Sequence, residues 1–292
     1  MKIFVIGGSG LVGGNCLDHF ETLDKVTAVG THMGYPTDRT VYFNTLELEH
    51  PDNYDLDAFQ PDVIVHCGAL TWVDYCEENP EESYLKTVQS AKEAIRLCKK
   101  YGARLVYTST DYVFDGTQGP YREEDVVNPL NVYGRHKLEA EQLVLQEVHG
   151  SLVLRITNAY GNEIRGKNFV ARLVKQLQAG VAFELQLPYD QYATPVNAYD
   201  IARMAYRLLA DKKSGIYGVA STDFLNRYHL AHKVVRHFGA NNVTLTPIDT
   251  PSLNQAATRP LIGGFVGLKF ATEYPEFAFT SINDYLNQEF PQ

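Results

Sequence analysis

Lys2-Ile-Phe-Val-Ile-Gly7-Gly-Ser-Gly10-Leu-Val-Gly13 opens the chain, and the reading of its fold turns on this stretch. The apolar run Ile3–Ile6 has the length and composition of a buried strand. It meets glycines at positions 7, 10 and 13, after which an amphipathic helix is expected from about Leu11. Each glycine has a separate use in a turn that receives a pyrophosphate. Gly7 permits the tight turn, Gly10 lets backbone amides approach phosphate oxygens, and Gly13 permits close helix–strand packing. Ser9, Leu11 and Val12 stand in the same turn and are expected at the ligand with them, where the helix N-terminus adds favourable partial charge. An isolated match of this kind is often only a glycine-rich turn. Its position directly after an apolar strand at the head of the chain gives it functional meaning.

Working outward, short β-rich runs alternate with helical periods. They fall at Val26–Val29, Val41–Phe43, Val63–His66, a helix around Glu81–Lys100, Arg104–Tyr107, a helix over Val132–Glu147 and a strand at Leu152–Arg155. Six strands with crossovers make a complete dinucleotide-binding unit. The expected fold class is therefore α/β: a Rossmann-type doubly wound parallel sheet with a smaller α+β C-terminal substrate domain. After Gly161 the regularity weakens, with helices expected near Asn168–Gln178, Tyr199–Leu209 and Asn226–Phe238 and strands near Phe183–Leu187 and Val243–Ile248. Residues 1–161 are assigned to dinucleotide binding and 162–292 mainly to substrate, with some segments returning to the first part. No linker separates the halves, so a cleft between them is the expected binding site.

Composition narrows the class. In 292 residues, 35 acidic against 26 basic side chains give a formal charge of −9, which argues against a broad nucleic-acid surface. No apolar run is long enough for a membrane span, and a signal peptide would displace the first core strand, so Met1 is expected to be the native start. Cys16, Cys67, Cys76 and Cys98 form no C-x-x-C pair and no cluster with histidine. They read as thiols of a reducing compartment, with cytoplasm expected and no metal.

Two further segments carry chemistry. Tyr133-Gly-Arg-His-Lys137 places a tyrosine and a lysine one helical turn apart on the same face. A tyrosine can give a proton to a carbonyl oxygen, and a nearby ammonium is expected to lower its pKa for that task. Upstream, Ser109-Thr-Asp-Tyr-Val-Phe-Asp-Gly116 falls at the carboxyl end of the fifth strand, where open α/β sheets bind ligands. There the hydroxyl of Thr110 or Ser109 can polarise a carbonyl. At the end of the second strand, Gly30-Thr31-His32 replaces the carboxylate that usually grips the adenosine ribose. With His32 and Arg39 nearby, NADP(H) is favoured as cofactor and NAD(H) remains open.

Taken in order, Gly7–Gly13, His66-Cys-Gly-Ala-Leu-Thr71-Trp-Val-Asp74-Tyr-Cys-Glu77, Ser109–Gly116, Tyr133–Lys137, Asp190-Gln191 with Thr194-Pro195, and Ala257-Thr-Arg259-Pro260 resemble the dTDP-4-dehydrorhamnose reductases over nearly the whole chain. That resemblance implies Tyr133 as proton donor, Lys137 as its partner, Thr110 as the carbonyl-binding hydroxyl and Asp111 as a catalytic neighbour on the substrate side. It implies cofactor contacts from Thr31, His32, Cys67, Gly68, Ala69, Thr71, Tyr133 and Lys137. Substrate contacts are expected from Thr71, Val73, Asp111, Asn168 and Arg259, the last gripping the diphosphate of a nucleotide sugar, with Arg165 and Lys167 as further available cations. A homodimer is compatible with the family. The chain departs from the family pattern at His66-Cys67-Gly68, at Thr87 where an asparagine is usual, and at Asn44 where an aspartate is usual. Two alternatives stay open: a sugar-nucleotide epimerase or dehydratase using the same Tyr133–Lys137 pair, and a non-catalytic subunit resembling the regulatory subunit of methionine adenosyltransferase.

Overall fold

The computed structural model describes residues 1–291. In chain order the elements are β1 (Lys2–Ile6), α1 (Leu11–Phe20), β2 (Thr27–His32), β3 (Thr40–Tyr42), α2 (Leu56–Phe59), β4 (Val63–His66), α3 (Val73–Glu78), α4 (Pro80–Tyr84), a π turn (Leu85–Gln89) running into α5 (Ser90–Tyr101), and β5 (Arg104–Thr110). There follow α6 (Val132–Glu147), β6 (Leu152–Ile156), α7 (Phe169–Gln178), β7 (Phe183–Pro188), β8 (Tyr192–Ala193), α8 (Ala198–Ala210), β9 (Gly215–Gly218), β10 (Leu225–Asn226), α9 (Arg227–His237), β11 (Val243–Ile248), α10 (Leu268–Glu273) and α11 (Ile282–Glu289).

Seven parallel strands in the order β3-β2-β1-β4-β5-β6-β9 form the central sheet. β1, β4 and most of β6 are buried on both faces, which is why they read as unbroken apolar runs rather than alternating ones. One face packs Ile3, Val5, Val65 and Leu154 against Leu17, Phe20, Ile201 and Leu208 of α1 and α8. The other packs Phe4, Ile64, Leu105 and Val153 against Ile95, Cys98, Ala140 and Val144 of α5 and α6. The strand order reverses between β1 and β4, so their carboxyl ends open a crevice there. Among the described residues no helix is long and apolar enough to cross a membrane.

Two elements of the second half belong to this layer: α8 packs on α1, and β9 extends the sheet beside β6. The sequence reading stopped at six strands because Gly215-Ile-Tyr-Gly218 has neither the length nor the composition of a strand, and pairing with the open edge of β6 makes it one. The remaining elements form a smaller body. There α7, α9 and α11 bury Val170, Leu173, Leu230, Val234, Ile282 and Leu286 beside the parallel pair β7 and β11.

Candidate active site

Two depressions open along the carboxyl edge of the sheet. The first, a groove of about 490 Å³, lies over the β1–β4 switch point and is lined by Gly7, Ser9, Thr31, His32, Gly68 and Ala69, among others. Its floor is set by backbone contacts. Gly7 adopts φ +83°, a conformation that favours glycine, and a Cβ on Gly13 would stand 2.2 Å from the Gly7 carbonyl oxygen. Gly10 is the N-cap of α1, and its own Cβ would meet only the Gly7 oxygen, at 3.4 Å. The turn is braced from β2, where the Thr31 hydroxyl accepts from the Gly7 amide at 3.2 Å and the Thr31 carbonyl from the Ser9 amide at 3.3 Å. These are the close backbone approaches at a helix N-terminus that a dinucleotide pyrophosphate requires, so the residues present fit that cofactor.

Several expected cofactor contacts are engaged elsewhere. Val12 packs into the core beneath, and Cys67 packs there too, its thiol beside that of Cys16. Leu11 begins α1 and accepts the Asn15 amide on its carbonyl at 2.8 Å. Thr71 lies outside the groove, in the second depression. His32 Nδ1 is bonded to the Thr40 hydroxyl at 2.9 Å. Arg39, expected near His32 to meet a phosphate, is instead held by Asp18 at 2.5 Å and Glu21 at 2.8 Å. Below the groove, buried His66 bonds Ser90 Oγ at 2.9 Å, and burial, with Lys137 nearby, lowers its pKa to about 4.

The second depression is a cleft of about 570 Å³ between the sheet edge and the smaller body. Thr110 and Asp111 come from the end of β5, Tyr133 from the first turn of α6, and Thr71, Trp72 and Val73 from the start of α3. Asn131 caps α6 by accepting from the Gly134 amide at 2.9 Å, which fixes the helix end that presents Tyr133. Burial raises the Tyr133 pKa, and a hydrogen bond with the Thr110 hydroxyl opposes that rise. Lys137, expected at the cofactor, is buried and is not among the residues lining either depression; it donates to the Thr108 carbonyl and lies 4.3 Å from the centre of the Tyr107 ring. Loss of water lowers its pKa to about 7. The expected lowering of the tyrosine by a full ammonium is therefore not what this arrangement produces. Both groups are buried, and each is pushed towards its neutral form.

Asp111 is buried, and its carboxylate is fully engaged. It accepts from Thr157 Oγ1 at 2.7 Å, from the Gly264 amide at 3.0 Å and from Thr110 Oγ1 at 3.3 Å. These bonds fix Thr110 and tie the loop around Gly264 to the end of β5. Asn168 is likewise spent: it caps α7 through Ala171 and donates to the Gly161 carbonyl at 3.0 Å and to Glu163 at 2.9 Å. It does not line the cleft, whereas its neighbour Phe169 does. The resemblance implies a substrate contact from Asn168, but the asparagine occupies the helix-cap position that residue type favours.

Three arginines converge on the cleft: Arg172 from α7, Arg227 from the first position of α9, and Arg259. Arg259 is 8% exposed; Nη2 donates to Asp74 at 2.6 Å, and Nη1 is buried without a partner among the described residues. Arg227 donates to Asn158 Oδ1 at 3.1 Å and lies 4.7 Å from the Phe169 ring; burial, together with Arg172 and Arg259, lowers its pKa. Arg165 and Lys167, read from sequence as cations available to a substrate diphosphate, lie instead on the rim of the first groove. Arg172, Arg227 and Asn158 escaped the sequence reading. Arg227 follows a helix-capping asparagine, which signals a helix end but not which cleft it faces.

The sequence profile of the RmlD substrate binding domain family matches residues 1–274. The chain is 31% identical over 268 residues to methionine adenosyltransferase 2 subunit beta of Bos taurus, covering 89% of this chain and 78% of that protein. With the Xenopus laevis protein of that name it shares 34% identity over 254 residues, covering 85% and 75%. Among solved structures, a dTDP-4-dehydrorhamnose reductase from Clostridium acetobutylicum superposes with a TM-score of 0.84 at 25% identity, covering 99% of each chain. A UDP-glucuronic acid 4-epimerase from Bacillus cereus, in complex with UDP-glucuronic acid and NAD, shares the fold with a TM-score of 0.82 at 19% identity over 99% of this chain and 98% of that one.

Proposed function

The chain belongs to the RmlD substrate binding domain family, and from that premise we propose that it is an NADPH-dependent reductase of a 4-keto sugar carried on a nucleoside diphosphate. One observation carries the reading: the hydroxyls of Thr110 and Tyr133 share a cleft with the buried, unpartnered Nη1 of Arg259. A buried guanidinium nitrogen with no acceptor calls for an anionic ligand. Arg172 and Arg227 extend the positive wall in a protein that is acidic overall, as a diphosphate requires.

In this reading Gly7, Ser9 and Gly68 of the groove would hold a reduced dinucleotide, whose chemistry when bound would be hydride donation to the carbonyl carbon. Thr110 hydrogen-bonds the carbonyl oxygen, Asp111 holds Thr110 in place, and Tyr133 gives its hydroxyl proton to the oxygen as negative charge develops there. Lys137, one turn along α6 from Tyr133, would in its protonated form favour the tyrosinate left behind. The Thr108 carbonyl and the Tyr107 ring hold its ammonium in place beneath the end of β5. NADPH is favoured over NADH because β2 ends without a carboxylate to repel a 2′-phosphate.

The test is NADPH oxidation across a panel of nucleotide-linked 4-keto sugars. Turnover is expected with at least one member, and Tyr133→Phe should lower kcat by about 10²-fold or more with NADPH binding retained. No oxidation with any member removes the reductase reading.

A second reading rests on the likeness to methionine adenosyltransferase 2 subunit beta: a dinucleotide-binding partner of a synthetase. Stable co-purification with a methionine adenosyltransferase catalytic chain, without NADPH oxidation, would favour it.

A further inference from the structure

The end of β2 is where a dinucleotide's adenosine ribose is held in this fold, by a carboxylate when the 2′-position is a free hydroxyl. Here that place offers neither a carboxylate nor a free cation of its own. His32 is bonded to Thr40, and Arg39 is neutralised by Asp18 and Glu21. Lys86, also on the groove wall, is paired with Glu82 at 2.5 Å.

Cations arrive from the other half of the chain. The segment between Gly161 and Asn168 folds back against the groove and is fastened at both ends. Asn15 of α1 donates to the Asn162 carbonyl at 2.9 Å, and the Asn162 side chain bridges Glu289 at 2.7 Å and Tyr285 at 2.9 Å. At the far end Asn168 donates to the Gly161 carbonyl. Between these anchors the chain turns through Gly166, at φ +57°, and presents Arg165 and Lys167 to the groove beside Ser9 and His32. The Arg165 guanidinium lies 5.4 Å from the centre of the Tyr35 ring, and Tyr35 is three residues beyond His32. Neither Arg165 nor Lys167 has an acidic partner among the described residues. A guanidinium held against a tyrosine ring keeps N–H groups for another acceptor, and its fork matches a phosphate monoester bidentately.

We propose that Arg165 and Lys167 bind the ribose 2′-phosphate of a phosphorylated dinucleotide, so that this loop of the second half, with Tyr35 as its seat, selects the cofactor. The assignment deepens the dinucleotide reading above and rests on it. It also gives the loop a purpose that the substrate cleft does not, since its two cations line the groove and Arg259 lines the cleft.

Calorimetric titration of NADPH and NADH into the whole protein tests it without reference to turnover. The wild type should bind NADPH more tightly than NADH. Arg165→Ala with Lys167→Ala should weaken NADPH by about tenfold or more and leave NADH within about twofold, because only the phosphate contact is lost. Arg165→Lys, which keeps the charge but loses the fork, should fall between. Equal weakening of both dinucleotides, or no weakening of NADPH, overturns the assignment while leaving dinucleotide binding intact. A wild type that binds neither dinucleotide overturns the underlying reading, and this one with it.

Discussion

The groove over β1 and β4 and the cleft beside α6 meet at one sheet edge, yet they are built from different material. In the groove, backbone does the shaping: Gly7 turns, Gly13 packs against the Gly7 carbonyl, and Thr31 braces the turn from β2. In the cleft, side chains do it, with Thr110, Tyr133 and three arginines drawn from four separate elements and the loop that carries Arg259. A backbone-built surface tolerates few residue types at fixed spacing. A side-chain-built one accepts any scaffold that delivers the same groups, so its members are scattered through the chain. The difference predicts that single substitutions act as nearly all-or-none in the groove and as graded losses in the cleft.

Two glycine variants separate ligand binding from folding within the groove. At Gly10 a Cβ meets only ordinary contact, so Gly10→Val should fold and place its branches where a pyrophosphate would pass. Dinucleotide affinity should fall by roughly 10²-fold or more, with the melting temperature within a few degrees of wild type. Gly13→Val should instead fail as a protein, because its Cβ would stand 2.2 Å from a backbone oxygen that cannot yield cheaply. The overpacking cost is on the order of 3 kcal/mol or more, read as lost soluble yield and a lowered melting temperature. Unchanged NADPH affinity in Gly10→Val would remove the groove from cofactor binding.

The same contrast explains what the sequence made legible. α6 is found at Val132–Glu147 as its periodicity predicts, and β1, β4 and β6 follow their apolar runs. The Glu81–Lys100 helix is interrupted by the π turn at Leu85–Gln89, because periodicity marks a buried face but not a local widening of the helix. The glycine loop, Thr110, Tyr133 and Lys137 could be found because their spacing is local. Arg172 and Arg227 could not, since only the packing of α7 and α9 in the smaller body aims them at the cleft. Arg165 and Arg172 lie seven positions apart in one segment and face different depressions, a division that charge and sequence distance cannot reveal.

Graded behaviour in the cleft is checked at Arg259. Its guanidinium holds Asp74 with one nitrogen and leaves the other buried and open. Arg259→Ala should raise KM for a nucleotide-linked substrate by roughly tenfold or more and leave NADPH affinity nearly unchanged, since binding remote from the reacting carbon is removed. Arg259→Lys should recover part of the loss, because it keeps charge without the fork. A drop in stability with no change in KM would make Arg259 a structural partner of Asp74 only.

The effect that touches no ligand lies beneath the groove, where a side chain supports a backbone-built surface. His66 is fully buried, bonded to Ser90, and near Lys137. Its folded pKa of about 4 is below the unfolded value of about 6.5. Between those values the unfolded chain binds the extra proton, so stability rises with pH through that window and is lost as pH falls from 6.5 towards 4. At pH 5 the loss relative to pH 7.5 amounts to roughly 2 kcal/mol from this residue alone. His66→Gln cannot take up that proton and keeps an amide within reach of Ser90. Urea denaturation at the two pH values should therefore show a smaller acid loss in the variant than in the wild type, by about that amount, whatever the variant's stability at pH 7.5. Equal acid losses would mean that His66 is protonated in the folded chain as readily as in the unfolded one. The groove would then rest on its backbone alone, without the neutral imidazole under its floor.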